Sequence, residues 1–544
     1  MNLLRRLSRD EHGFTMVAVM VAMMITGLFV AGAFAAADGD LPIGKRSEDR
    51  KEALAAAEAG VNFYAFHLAQ DDRYWTKCTN VPAPNTTEPS PVAQKWYGTA
   101  QGADTRTGHW RYVPGTTAQY SIELLPVTAP TTGTPYPQCV EGDEGTMLDP
   151  STGMFRIRVT GKSGNSKRTI VASFRRRGLL DFLWLTNYET QDPNNYPPNG
   201  YSGTYSYQTP SWAASNCTDY RGARDTSCKD QQFTSDDQLL GPFHTNDTNM
   251  WTCDGSTFGR VGKRDKLEVG GPPPGYVNKC GSGAPNFQSP PLYTNQPSID
   301  IPASNSALKT IAQTGGRLFT GVTKIRLNGT QMSLDGGATW EAQPGNGVIY
   351  VQTGTAGCTT KPPILADYNE TASCGNAYVS GTYGSNLTIA ADNDIIVAPT
   401  QAGQNEDLIR QSGTTAVLGL IAQNFVRVMH RVTPSPRTDP DTCTNLDTVA
   451  NPNLGDVTIN AAILSVDHSF TVDNYGCGVH EGDLTIKGAI AQNFRGTVGK
   501  VGSSGYTKKY SYDDLLKFRS PPYFLSPLAT PWMVARTNEQ VPAT

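Results

Sequence analysis

The chain opens with a charged stretch, Met1 to Gly13, that runs directly into an apolar one. From Phe14 to Ala37 no residue is charged, and the only hydroxyls are Thr15 and Thr26. As a helix rising about 1.5 Å per residue this stretch measures about 36 Å, enough to cross bilayer hydrocarbon. Arg5, Arg6 and Arg9 precede it, which predicts a cytoplasmic N-terminus and an exported remainder. The next residues, Asp38-Gly39-Asp40-Leu41-Pro42-Ile43-Gly44, are rich in helix breakers, so a loosening or kink is expected there. A helix should then restart near Ser47, with Glu48 and Asp49 suited to the positive end of its dipole. Within it Leu54, Ala57, Val61, Tyr64 and Leu68 recur at alternating spacings of three and four. That pattern is one apolar stripe on an amphipathic stem.

Further along, the period changes from helical to two. Met154 to Thr160 and Lys167 to Phe174 alternate about a Gly-Lys-Ser-Gly-Asn-Ser turn, the pattern of a β-hairpin. Leu179 to Tyr188 is apolar and aromatic and is expected to plug the start of a second domain. Residues 189–300 hold most of the loop signals. From about residue 310 short apolar strands recur between turns, at 347–354, 387–399, 417–428, 457–466 and 484–494. Two of these are self-similar: Gly419–Phe425 matches Gly488–Phe494, and Val457–Leu464 matches Leu484–Ala491, at offsets of 69 and 27 residues. Such rungs cannot bury their apolar edges alone, and stacking them into a parallel β-solenoid is the economical solution. The irregular offsets keep a β-sandwich open as the alternative. The expected fold class is α+β, mainly β, a long N-terminal membrane and stem helix followed by a β-rich head. Its segments are a leader (1–13), a transmembrane helix (14–37), an amphipathic stem helix (38–72), a small β-rich region (73–178) and a large β-rich domain (179–544).

Composition narrows the function. At 544 residues the chain can hold several domains or one elongated repeat architecture. A net charge of −4 gives no reason to expect nucleic acid. The cysteines, Cys78, Cys139, Cys217, Cys228, Cys253, Cys280, Cys358, Cys374, Cys443 and Cys477, number 10 and all lie beyond the apolar stretch. An even count in an exported chain reads as disulfides, with sequential pairing of neighbours the expected connectivity. There is no CxxC and no histidine at ligand spacing, so neither a metal nor a cofactor is expected.

The junction Gly13-Phe14-Thr15, where charge ends on glycine and the apolar run begins with phenylalanine, resembles the cleavage site of type IV prepilins. The resemblance implies that a membrane peptidase cuts after Gly13 on the cytoplasmic side and leaves the helix on the mature protein. The segment ALAAAEAGVNFYAFHL, with Ala56-Ala57-Glu58-Ala59-Gly60 its most specific part, is similar to the N-terminal region of PilX-type minor pilins over roughly residues 9–70. The hairpin ending at Phe174 likewise resembles the one that closes a pilin head. In one respect the chain departs from the pattern: most major pilins carry a glutamate where this chain has Ala18. In that family the carboxylate usually pairs with the amino terminus of a neighbouring subunit. Its absence argues against a bulk filament subunit. The partners implied are other pilin subunits, the prepilin peptidase, the inner-membrane assembly platform and a surface glycan or protein ligand. The implied location is the cell membrane, crossed once with a cytoplasmic N-terminus, and then the pilus surface. Two rival readings of the N-terminus remain. Ala33-Phe34-Ala35 offers a signal-peptide site, though the apolar run exceeds the usual length and Asp10, Glu11 and His12 sit in the leader. A plain single-pass anchor is the other.

Signals for catalysis are sparse, and the chain is not expected to be an enzyme. Ser333-Leu334-Asp335-Gly336-Gly337-Ala338-Thr339-Trp340 matches the Asp-box pattern and resembles a sialidase repeat, but that element is a turn device. Asp392-Asn393-Asp394 and Asp467-His468 could bind calcium or a sugar, although polar residues at such turns are mostly solvated caps. No HExxH, G-x-S-x-G or P-loop is present. Aromatics gather in the loop from Tyr196 to Trp212, and an exposed cluster there would suit adhesion. The alternative from another class is an exported, anchored β-helix enzyme or binding protein for polysaccharide. An acidic cluster in a groove would favour it; aromatic loop tips on a bare surface would favour an adhesin.

Overall fold

In a computed structural model the described residues are 14–71, 73–77, 110–125, 147–149, 154–176, 178–201, 203–281, 283–400, 407–433, 444–445, 455–500, 502–527 and 532–543. Gly13, Cys78, Cys139 and Cys443 lie outside them. The described chain is mainly β and divides into two compact units.

The first unit gathers residues 1–147, 155–173 and 536–544. Its backbone is helix α1, Phe14–Gln70, which runs unbroken for 57 residues. Helix continues through Asp38–Gly44, where a loosening or kink was expected. Interior proline costs about 3 kcal/mol and glycine about 1. Starting a fresh helix, with a nucleation constant near 10⁻³, costs about 4 kcal/mol, so propagation through the breakers competes well. In the apolar part, side chains are described only between Met16 and Ala31. Among the described residues no helix is long and apolar enough to cross a membrane. The expectation of a span therefore rests on the sequence from Phe14 to Ala37. Leu28 and Phe29 are 73% and 75% exposed.

The far half of α1 packs on an antiparallel sheet with strand order Arg111–Tyr112, Gln119–Leu125, Met154–Ser163, Ser166–Arg176 and Trp532–Gln540. Of the predicted stripe, Ala57, Val61, Tyr64 and Leu68 are buried, joined by Ala53 and Ala56, while Leu54 is half-buried. The small residues have a steric reason. A Cβ on Gly161 would stand 1.9 Å from the Ala53 carbonyl oxygen, and one on Gly60 would stand 2.5 Å from Val159 Cγ1. Helix and strand backbones nearly touch there, which only alanine and glycine permit. Trp75 and Tyr64 close the end of this core on Phe155, at centroid distances of 5.5 and 6.1 Å. The fifth strand was not foreseen: the chain leaves this sheet after Ser166–Arg176 and returns to it at Trp532–Gln540. The large domain is thus an insertion, and the boundary at residue 178 marks only its start.

The second unit gathers residues 148–154 and 174–535. Its main ladder is parallel at every pairing. In spatial order it runs Leu292–Tyr293, Leu267–Val269, Phe243–Thr245, Trp184–Gln191, His480–Arg495, Ala462–Ser465, Leu418–Ala422, Leu387–Ala391, Val348–Gln352 and Arg317–Thr320. A second parallel ladder pairs Thr323–Gly329 with Ala377–Tyr383. It branches there to Ile395–Val397 and to Leu408–Arg410. One continuous core of valine, isoleucine, leucine and alanine fills the interior. Buried parallel strands read as apolar runs for this reason.

The 27-residue repeat is a true register: Val457 lies opposite Leu484 and Ala462 opposite Ala489. The other repeat is not. Ala422 lies opposite Ser465 and Ser465 opposite Gln492, so a match equating Gln423 with Gln492 is one residue out of step. Chain order and ladder order also differ. Trp184–Gln191, which overlaps the stretch Leu179–Tyr188 expected to plug the start of this domain, lies in the middle of the ladder, and the chain works outward from it to Leu292–Tyr293. It then resumes at the far end with Arg317–Thr320 and returns strand by strand. The crossing segment is held by asparagines that imitate backbone. Asn246 bonds both the amide and the carbonyl of Ile299 (2.9 and 3.0 Å). Asn305 donates to the Ala391 and Ile421 carbonyls (2.8 and 3.2 Å). Strands of two or three residues between 238 and 293 are too short to show alternation, which is why that region reads as loop.

Candidate functional site

Two excursions from the parallel ladders carry the polar and aromatic residues. The first follows the Trp184–Gln191 strand. Asp192 caps a short turn, Pro193–Asn195, accepting the Asn194 amide at 2.9 Å. Tyr196 then turns inward to form a small core with Ala213, Cys217 and Cys228, against which Tyr201 and Trp212 pack. Helix α2, Pro210–Asn216, begins where Thr209 accepts from the Trp212 amide at 3.3 Å, with proline in its first turn. A disulfide joins Cys217 to Cys228. The Tyr196 hydroxyl accepts the Lys229 amide at 2.8 Å, and burial raises its pKa. Arg224, with no exposed side chain, bridges Asp230 (2.8 Å) and Asp247. This excursion is therefore a built object rather than a slack loop. On its outer side Tyr205 and Tyr207 are 48% and 47% exposed. The Lys229 ammonium sits 4.4 Å from the Tyr205 ring and 4.9 Å from the Tyr201 ring. Tyr207 meets Trp212 edge-on at 5.4 Å.

The second excursion, residues 354–376, carries the Cys358–Cys374 disulfide. Beneath it Arg427, 2% exposed, lies between Asp394 and Asp473, at 3.3 Å from each. Tyr368 donates to Asp473 at 2.8 Å and accepts the His430 amide at 2.8 Å. Tyr378 bonds Glu370, and His430 lies 3.7 Å from Glu481. Burial pushes the Asp473 carboxyl up to about 7, against the pull of Arg427, and burial raises Asp394 too. Two carboxylates around one guanidinium, closed from water, make a structural clamp. They offer no open acid–base pair.

The other sequence candidates find local partners. Asp335 accepts from Ser333 Oγ (2.6 Å) and from the Thr339 amide (2.9 Å), and the Ser333 bond leads in lowering its pKa; Arg326 lies 5.8 Å from the Trp340 ring. Asp392 holds the Tyr350 hydroxyl (2.6 Å) and the Thr353 amide (2.8 Å). His468 stacks on Phe425 at 4.4 Å with its Nδ1 3.1 Å from Asp192, and Asp467 accepts Gln423 Nε2 at 2.8 Å. The structure does not bring Asp392–Asp394 and Asp467–His468 into one ligand set. Among the described residues no group of three or more histidine, cysteine or acidic side chains could hold a metal. A further disulfide joins Cys253 to Cys280, and Cys477 is disulfide-bonded as well. Each of the three described bridges links cysteines that are neighbours in the sequence. Ala18 lies exposed on α1, whose first residue is Phe14. Sequence reading missed Arg427, Lys229 and Arg224, since single basic residues between apolar or polar neighbours carry no periodic signal.

Comparison with known proteins bears on the N-terminus. The prokaryotic N-terminal methylation motif matches residues 8–34, across the Gly13-Phe14 junction and most of the apolar stretch. The chain thus carries a type IV prepilin-like N-terminus. No curated protein matches it. Among solved structures it is similar to the competence-associated pilin ComZ from Thermus thermophilus, at 13% identity over 90% of this chain and 97% of that one. The TM-score is 0.23, too low for that likeness to carry an argument.

Proposed function

We propose that this chain is a minor type IV pilin-like subunit, of the PilX-like kind, whose inserted head is a parallel β-solenoid used at the pilus tip for assembly and adhesion. The observation that carries the reading is the methylation motif at residues 8–34, which overlaps the start of α1. Peptidase cleavage after Gly13 leaves Phe14 as the new amino terminus, ready for methylation. The apolar stretch crosses the membrane once and later joins the filament core through other pilin subunits, guided by the assembly platform. The register of the parallel ladders supports the solenoid. Ala18 supports tip placement. A subunit without a carboxylate at that position cannot neutralise an amino terminus above it, an interaction strong at low dielectric. At the tip no such terminus needs a partner.

Intact-mass analysis of protein extracted from membranes tests the processing step. A chain starting at Phe14 is the expected product. One starting at Ala36, or one keeping Met1 in cells that contain the peptidase, overturns the pilin reading. Labelled antibody should mark filament ends; regular labelling along the shaft, at the abundance of the major subunit, overturns the tip placement alone.

A further inference from the structure

The tyrosine excursion has an arrangement that the packing of the ladders does not require. It builds its own core from Tyr196, Ala213, Cys217 and Cys228, separate from the core of the ladders. Its outer residues are fixed all the same. The Ser206 amide bonds the Gly203 carbonyl at 3.2 Å, Gln208 Nε2 reaches the Ser227 carbonyl at 2.7 Å, and the Cys217–Cys228 bridge closes the base. Two tyrosines, Tyr205 and Tyr207, therefore present about half of their surfaces to solvent on a backbone that needs no ordering. A tyrosine so held offers a flat apolar face and a hydroxyl rim at once, with only two torsions to freeze.

A cation stands over the first of these rings and over Tyr201. Lys229 lies over Tyr201 and Tyr205 at 4.9 and 4.4 Å, and among the described residues its ammonium makes no ion pair. Every arginine of this excursion, by contrast, is paired: Arg221 with Asp230 at 3.5 Å, and Arg224 with Asp230 and Asp247. The rings hold the lysine by cation–π attraction, worth about 0.5–1 kcal/mol at an exposed site.

We infer that Tyr205, Tyr207 and Lys229 form a binding site for an acidic glycan, the tyrosine faces stacking on pyranose rings and the lysine taking a ring carboxylate. This deepens the adhesion reading above and rests on it. Stacked rings need a rigid aromatic platform, and a carboxylate on the same sugar needs a fixed cation beside it. A nucleic acid would meet the same stacking faces, but it would also need a basic groove to follow its phosphates, and this chain has a net charge of −4. A protein partner would need a wider apolar centre than two tyrosines.

The test uses full-length protein in detergent and four probes: trigalacturonate, its fully methyl-esterified form, 3′-sialyllactose and lactose. At least one acidic probe should bind more tightly than its neutral counterpart. Tyr205→Ala and Tyr207→Ala should each weaken it by about tenfold, within the range for one aromatic contact. Lys229→Gln should abolish the preference for the acidic probe while leaving neutral binding nearly unchanged. Unchanged thermal unfolding and an intact Cys217–Cys228 bridge in each variant show that folding is not the cause. Failure of all four probes to bind, binding indifferent to these three substitutions, or tighter binding of a dT15 oligonucleotide than of any glycan overturns the site. The mature N-terminus and filament incorporation of the same variants separate the two readings. Incorporation without glycan binding removes the inference alone; glycan binding by a chain that is never cleaved at Phe14 removes the pilin reading.

Discussion

The two stapled excursions use the same device to opposite ends. Residues 192–232 contain a disulfide of sequence separation 11 and residues 354–376 one of separation 16. The first wraps a core of its own, so its outer face is free to carry exposed tyrosines. The second has no such core. It lies over Arg427, Asp394 and Asp473, and its tyrosine points down to bond Asp473. A disulfide limits where an excursion can go, but what lies beneath decides whether its polar groups end up buried or displayed. Both excursions hold an arginine buried between two carboxylates, Arg224 in the first and Arg427 under the second, but only the first also displays tyrosines, and adhesive chemistry is sought there.

The sharpest way to break this contrast is to remove the guanidinium. Arg427→Met leaves two carboxyls buried without their cation, and such losses cost about 3–5 kcal/mol. Urea unfolding should register it, whereas Lys229→Gln on the tyrosine excursion should stay within about 0.5 kcal/mol. Comparable losses at both sites would erase the distinction.

pH separates the regions next. The Asp473 carboxyl titrates at about 7 in the folded state, far above its ordinary value near 4. The folded protein thus holds this proton more tightly than the unfolded chain. That contribution is complete below about pH 4 and is lost as pH rises through about 7, a ceiling of ~4 kcal/mol at 1.36 kcal/mol per unit. Asp473→Asn should flatten melting temperature against pH over that window. An unchanged slope would mean the clamp does not titrate there.

Disulfide removal comes third. Cys358→Ser/Cys374→Ser and Cys217→Ser/Cys228→Ser should each cost about 2–3 kcal/mol, since loops of this length differ little in closure entropy. Hydrogen exchange would divide them: loosening the strap should speed exchange at Val426–Val428, while loosening the tyrosine excursion should leave those amides protected. The smallest effect is expected from Tyr205→Ala, which should hardly alter stability and should register only in ligand binding.

How much of this could be read from the chain depends on how local the causes are. The stripe Ala57, Val61, Tyr64, Leu68 was legible because helical period alone puts those residues on one face. The hairpin around Gly164 was legible through alternation and a turn. The 27-residue offset was legible because stacked parallel strands repeat their side chains in register. The rest depends on partners distant in sequence. The unbroken helix through Pro42 runs against local residue preference. The return of Trp532–Gln540 to the first sheet, and the placing of Trp184–Gln191 in mid-ladder, are pairings that no window of residues contains. Asp394 and Asp473 are buried because a strap tens of residues away in sequence covers them; Tyr205 and Tyr207 are exposed because Tyr196 and a disulfide fill the space inward of them. Periodicity is written in neighbouring residues, so sequence alone determined the stem helix and the strand character of the head. Burial and pairing depend on what the folded chain brings alongside, so tertiary structure alone decided which charges are clamped and which aromatic faces meet solvent.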